Sequence, residues 1–158
     1  MNWQQACQHP SLKDLPFRIE INEIGQIVMS PVSILHSLYS GKIGNILISL
    51  LKNGAILSEC AVRTRKGTKV ADVAWVSLER LKLIVHEYDS PIAPEICVEV
   101  LSESNTEEEM REKRRLYFQT GALEVWICDQ NGNMCFYNPK KQMKQSELVP
   151  DFPKKIEI

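Results

Sequence analysis

Residues 95–129 constrain the fold more than any other stretch. EICVEVL, residues 95–101, is β-branched and apolar enough for a central strand. Asn105 and Thr106 then offer helix N-caps, with Glu108 and Glu109 three residues on, and acidic residues fill the first turn while Arg111, Lys113, Arg114 and Arg115 follow. Gly121 is placed to end that helix, and LEVWICD, residues 123–129, is a second apolar strand. A strand, a crossover helix and a strand require a sheet with the helix packed on its face, and the crossover is right-handed.

The remaining segments supply the rest of such a sheet. FRIEI, residues 17–21, alternates as a half-buried strand, Asn22 to Gln26 reads as a turn, and Ile27 to Met29 as its partner. From Ser33, apolar residues Ile34, Leu38, Ile43, Ile46, Leu47, Leu50 and Leu51 recur at mostly helical spacing, predicting a helix of roughly 18 residues. Gly54 suits the left-handed position after its end. Ala55 to Thr64 and Lys69 to Val76 form a hairpin through Gly67, Ser77 caps a short helix, and Pro-broken PDFPKKIEI at the end reads as an edge segment. With 158 residues, 44% apolar and 25% charged, the chain is expected to be one domain, residues 1–158, an α/β fold with a mixed β-sheet flanked by helices.

Nineteen basic against twenty acidic residues give a formal charge of −1, so no global field draws the molecule to nucleic acid or anionic lipid, and phosphate binding would need a local patch. The five cysteines are odd in number and no pair has zinc-knuckle or redox spacing. Reduced thiols and a cytoplasmic location are expected. A secretory leader and a membrane span are not, for want of a basic end followed by an apolar run or of an apolar stretch of sufficient length.

Three ionisable residues sit where structure alone would not put them. Asp72 lies inside VADVAWV, Glu99 inside EICVEVL, and Lys113 on the same helical stripe as Met110 and Tyr117, the residues that should pack on the sheet. Singly, each has an ordinary explanation as a turn cap, a solvent-facing strand residue or a solvated lysine. Together, two carboxylates and a buried-side ammonium could hold a hard divalent ion and place a positive charge beside an attacking water, which is the chemistry of phosphodiester hydrolysis.

The sequence also resembles a known family, the Uma-two family (domain of unknown function eight-twenty), within the restriction-endonuclease-like PD-(D/E)XK nucleases. The likeness is carried by MSPVSILHSLYSGKIGNILISLL (29–51), KVADVAWVS (69–77), APEICVEVLSESN (93–105) and EKRRLYFQTGALEVWICD (112–129). It implies a restriction-endonuclease-like core and an Mg-dependent (or Mn-dependent) endonuclease acting on DNA, with Asp72 and Glu99 as metal ligands and the Val100 carbonyl completing the shell. The lysine expected two positions after the glutamate is replaced by Leu101, and Lys113 on the next helix corresponds instead, orienting or deprotonating the water with a depressed pKa. His36 and Glu20 fall at family positions as accessory residues. His36 could equally be a half-buried histidine bonded to backbone, and Glu20 a solvent-facing strand residue. Many relatives carry a glutamate on the first long helix, and none stands between Ser30 and Lys52 here.

Arg63, Arg65, Lys66 and Lys69, four cations within seven residues beside Asp72, are candidates for phosphate steering, or else a solvated loop. A homodimer is expected from the two strands of duplex DNA and from Phe136, Tyr137 and Phe152, apolar residues that could line an interface. The alternative to an active enzyme is a catalytically idle nuclease fold used for binding or assembly.

Overall fold

The computed structural model describes residues 1–158. Helix α1 (Trp3–Gln8) and a 3-10 turn (Pro10–Leu12) lead into β1 (Arg18–Ile21) and β2 (Ile27–Ser30). Then come α2 (Ile34–Leu50), β3 (Gly54–Thr64), β4 (Gly67–Ser77), α3 (Leu78–Ile84), β5 (Ile96–Val100), α4 (Glu107–Thr120), β6 (Glu124–Cys128), β7 (Met134–Tyr137) and β8 (Gln142–Met143). One eight-stranded sheet runs β2-β1-β4-β5-β6-β7-β8, with β3 also paired to β4. Only β5 and β6 are parallel, joined across α4, so the sheet is mixed as the sequence predicted. No helix is long and apolar enough to cross a membrane.

The expected helix ends form through the expected chemistry. Thr106 and Glu109 make a reciprocal capping box at the start of α4, and Gly121 closes it at φ 113°. Ser33 and Ser77 cap α2 and α3. After α2, however, the left-handed residue is Asn53 at φ 57°, not Gly54. Gly54 is needed for a different reason: a Cβ there would lie 2.3 Å from the Trp75 ring.

Side chains of β5 divide between the faces. Ile96, Val98 and Val100 join Tyr39, Ile43 and Leu47 of α2 in one core, whereas Cys97 packs with Tyr117 of α4, Ala71 and Val125 in the other. Trp126, Phe136 and Phe152 make an aromatic cluster in the first core, with ring centroids 4.6 to 6.2 Å apart. One expectation is thereby corrected. Phe136 and Phe152 are 1% and 3% exposed, and Tyr137 is half-buried beneath Arg114, so these rings are core and not a free interface. The last segment does run along an edge, pairing Lys155 with Asn133 through bonds to Met134 and Gly132, and it also enters the core: Phe152 and Ile156 are buried, and Glu124 anchors the chain ahead of them by accepting from Ser146 Oγ and the Glu147 and Leu148 amides.

All five cysteines are unpaired. Burial pushes the Cys60 and Cys128 thiols up to about 12 and Cys97 well above its ordinary value. A thiol reagent at neutral pH is therefore expected to modify Cys7 and Cys135 in the folded protein and all five after denaturation. Fast reaction at Cys97 under native conditions would contradict this packing.

Candidate active site

The site is built by a fork in the sheet. One edge of β4 pairs with β5 at Val73, Ala74 and Trp75, and with β1 only at Thr68. Between these contacts β4 and β5 part, and side chains fill the gap. The Val73↔Val98 register brings Asp72 and Glu99 to the mouth of the fork from neighbouring strands. In place of a ladder bond, the Val100 N–H donates to Asp72 Oδ2 at 2.7 Å. On β3, the pairs Ser58↔Val73 and Cys60↔Ala71 bracket Glu59, which stands at φ 52° opposite Asp72.

Asp72 is turned toward α2. His36 Nε2 lies 3.2 Å from its Oδ2, and the Arg18 guanidinium of β1 stands against its Oδ1. Burial, then the Arg18 charge, holds the His36 pKa down to about 4, against the Val100 backbone, so His36 stands beside Asp72 as a neutral imidazole. Glu99 is turned toward α4. Its Oε2 accepts from Lys113 Nζ at 3.1 Å and its Oε1 from the Tyr117 hydroxyl at 2.6 Å. Glu20 of β1 completes the group: its Oε1 lies 2.6 Å from Lys113 Nζ and accepts the Val70 N–H at 2.9 Å.

Three carboxylates thus face two fixed cations in a buried setting, with Asp72 3%, Glu99 1% and Lys113 8% exposed. Burial works against the Lys113 charge, but Glu99 and Glu20 outweigh it and raise its pKa above the ordinary value. This runs against the expected depression: Lys113 stands between two carboxylates as a charged donor. For Glu20, burial is overcome by Lys113, the Val70 N–H and Arg18, and its pKa falls. Burial and the Glu99 charge push the Tyr117 hydroxyl well up, keeping it a donor.

The structure brings together Asp72, Glu99, Lys113, His36, Glu20 and the backbone of Val100, and adds Arg18 and Tyr117. Arg18 is legible in hindsight, because RIE puts Arg18 and Glu20 on one face of β1 at strand period. The four-cation cluster fares differently. Arg63 is spent on Asp89 at 2.8 Å and Glu87 at 3.8 Å, and Lys66 on Glu112 at 3.0 Å, leaving only Arg65 and Lys69 without an ion pair. A cavity of about 710 Å³ between α2 and β3 is lined by His36, Glu59 and Asp72 and gives the fork an opening on that side.

Carboxylate oxygens are the donors of a hard divalent ion, but the closed arrangement does not accommodate one. No three His, Cys, Asp or Glu side chains are placed to share an ion. Each Glu99 oxygen already has a donor, and Arg18 fills the space in front of Asp72.

Comparison with known proteins agrees with this architecture. No curated protein matches the sequence significantly. A solved structure from Anabaena variabilis, described as "a putative nuclease belonging to DUF820", superposes with a TM-score of 0.69 at 16% identity, covering 89% of this chain and 81% of that one. At that identity the likeness speaks for the fold alone, a mixed sheet flanked by helices. The profile of the family named Uma2, described as "Putative restriction endonuclease", matches residues 3–154, nearly the whole chain, and the protein therefore belongs to the Uma2 family.

Proposed function

We propose that the chain is an endonuclease that hydrolyses DNA phosphodiesters at the β4/β5 fork, with Mg or Mn as its cofactor. The observation that carries this reading is the buried group of Glu99, Lys113 and Tyr117 set beside Asp72, because a structural role alone does not call for so many charges in a sheet interior. Lys113, fixed between Glu20 and Glu99, would face the charge that builds on the phosphoryl oxygens and orient the attacking water. Tyr117 holds Glu99 in one rotamer. Asp72 and Glu99 are the carboxylates available to a hard cation, whose contribution would be Lewis acidity. Nicking of supercoiled plasmid is expected with Mg or Mn and not in chelator. Undiminished cleavage in chelator would overturn the metal requirement.

The second reading, an idle nuclease fold used for binding or assembly, draws support from the Arg18 guanidinium lodged at Asp72. A wild-type protein that cleaves no nucleic acid with any divalent ion would establish it.

For DNA contact, the larger uncompensated surface lies elsewhere than the predicted cluster. Arg111, Arg114, Arg115, Lys140 and Lys141 line a concavity of about 540 Å³ whose lining includes no carboxylate, and the Arg114 guanidinium stacks 4.0 Å above the Tyr137 ring. Glu112 neutralises Arg115 in part. Replacing Arg114, Lys140 and Lys141 together by alanine should weaken duplex binding by about tenfold or more and flatten its salt dependence by roughly two to three units of slope. Anisotropy titrations at several salt concentrations measure both, and an unchanged slope would remove this face from the DNA path. A homodimer belongs to the same proposal, resting on the symmetry of the duplex now that its aromatic residues lie in the core. Sedimentation equilibrium showing one chain's mass throughout would exclude it. A cytoplasmic setting, in keeping with five free thiols, is likewise proposed.

A further inference from the structure

We propose that Arg18 is the resident counter-cation of Asp72, and that the β1–β2 hairpin carrying it is a flap that must release Asp72 before a divalent ion can bind. This rests on the metal-dependent reading of the site and adds a gate to it.

The Arg18 guanidinium and the Asp72 carboxylate are in direct contact, with side chains 11% and 1% exposed. A cation ligated by Asp72 Oδ1 and the guanidinium cannot occupy the same place. One further donor of Arg18 is meanwhile unspent, since its Nε is buried without a hydrogen-bond acceptor. An incoming phosphate offers the planar guanidinium a pair of oxygens that it can bind in bidentate fashion.

The attachment of the hairpin suits such a release. Its ladder to the rest of the sheet is a single pair, Ile21↔Thr68. Its other ties to the fork run through the site itself: Arg18 to Asp72, and Glu20 to Lys113 and to the Val70 N–H. Whatever draws Arg18 away, or neutralises Asp72 in its stead, loosens a strand that those charges help to hold beside the buried Ile21 side chain. Metal affinity is then divided by the fraction of molecules that are open, and phosphate and metal must each favour the binding of the other.

The test is Mn binding followed by the electron paramagnetic resonance of the free ion, without DNA, on wild type, Arg18→Gln and Asp72→Asn. Arg18→Gln should bind Mn about tenfold more tightly than wild type, and Asp72→Asn should lose the site. A short duplex should tighten Mn binding by wild type and much less by Arg18→Gln. Amide exchange over residues 18–30 should quicken when Mn is added to wild type, which probes the flap without any substitution. Equal or weaker Mn binding by Arg18→Gln, or unaltered exchange in the hairpin, overturns the gate even where wild type cleaves DNA with Mn. Absence of Mn binding by both proteins, together with no cleavage, overturns the gate and the metal-dependent reading alike.

Discussion

Replacing Lys113 by methionine is expected to abolish cleavage and to lower folding stability by about 3–5 kcal/mol, the cost of removing one partner from a buried charge cluster. Lys113 Nζ lies within 2.6 Å of Glu20 and 3.1 Å of Glu99, and its loss strands both carboxylates, Glu99 in a fully buried setting and Glu20 in a largely buried one. Glu99→Gln separates the two effects. The amide can still accept from the Tyr117 hydroxyl, and Lys113 keeps Glu20, so the stability loss should be smaller, about 1–3 kcal/mol. Its cleavage rate should nevertheless fall by about a thousandfold or more, in the range seen when a preorganised charged group is removed from a reaction centre. Urea unfolding curves and plasmid nicking on the same preparations read both quantities. A Glu99→Gln protein that cuts as fast as wild type would take Glu99 out of the chemistry and leave the cluster a structural one.

Much of this site could be read from sequence because each residue broke a local rule. Asp72 and Glu99 interrupt apolar strands, and Lys113 stands on a packing stripe, three violations that only a shared site reconciles. The crossover unit was equally legible, since its capping box and Gly121 are chemical signals confined to a few neighbouring residues. What escaped depends on distant partners. Arg18 looks like an ordinary outward charge on an alternating strand, Glu20 is singled out by the family resemblance alone, and nothing local says that β1 meets β4 at one point and fills the fork. The Lys113 pKa was misjudged for the same reason: burial was foreseeable, but Glu20 as a second carboxylate on the ammonium was not. Arg63 and Lys66 read as free cations until folding sets Asp89 and Glu112 beside them. The tail was legible as an edge but not as core, because its prolines mark irregular backbone while the pocket that Phe152 and Ile156 fill is made by distant residues.

That tail carries the second large effect. Phe152→Ala should cost about 3–5 kcal/mol, because the ring is 3% exposed and its removal leaves a cavity against Trp126, 4.6 Å away between centroids, and Phe136, 6.2 Å away. The surroundings cannot collapse freely into it. Trp126 is tied through Nε1 to Glu124, which also holds the Ser146 hydroxyl and two backbone amides of the same tail. Tyr39, Ile43 and Leu47 of α2 pack on this cluster, so the helix that presents His36 to Asp72 leans on a segment more than a hundred residues further along the chain. The expected signature is a lower denaturation midpoint with an unchanged slope, since the surface exposed on unfolding is nearly the same. At temperatures where the variant remains folded, cleavage should stay within about threefold of wild type, because the tail supports the site without touching it. Phe152→Leu, which keeps most of the buried volume, should lose about 1 kcal/mol. A Phe152→Ala protein as stable as wild type would mean that the aromatic cluster does not close as described, and α2 would then need another source of support.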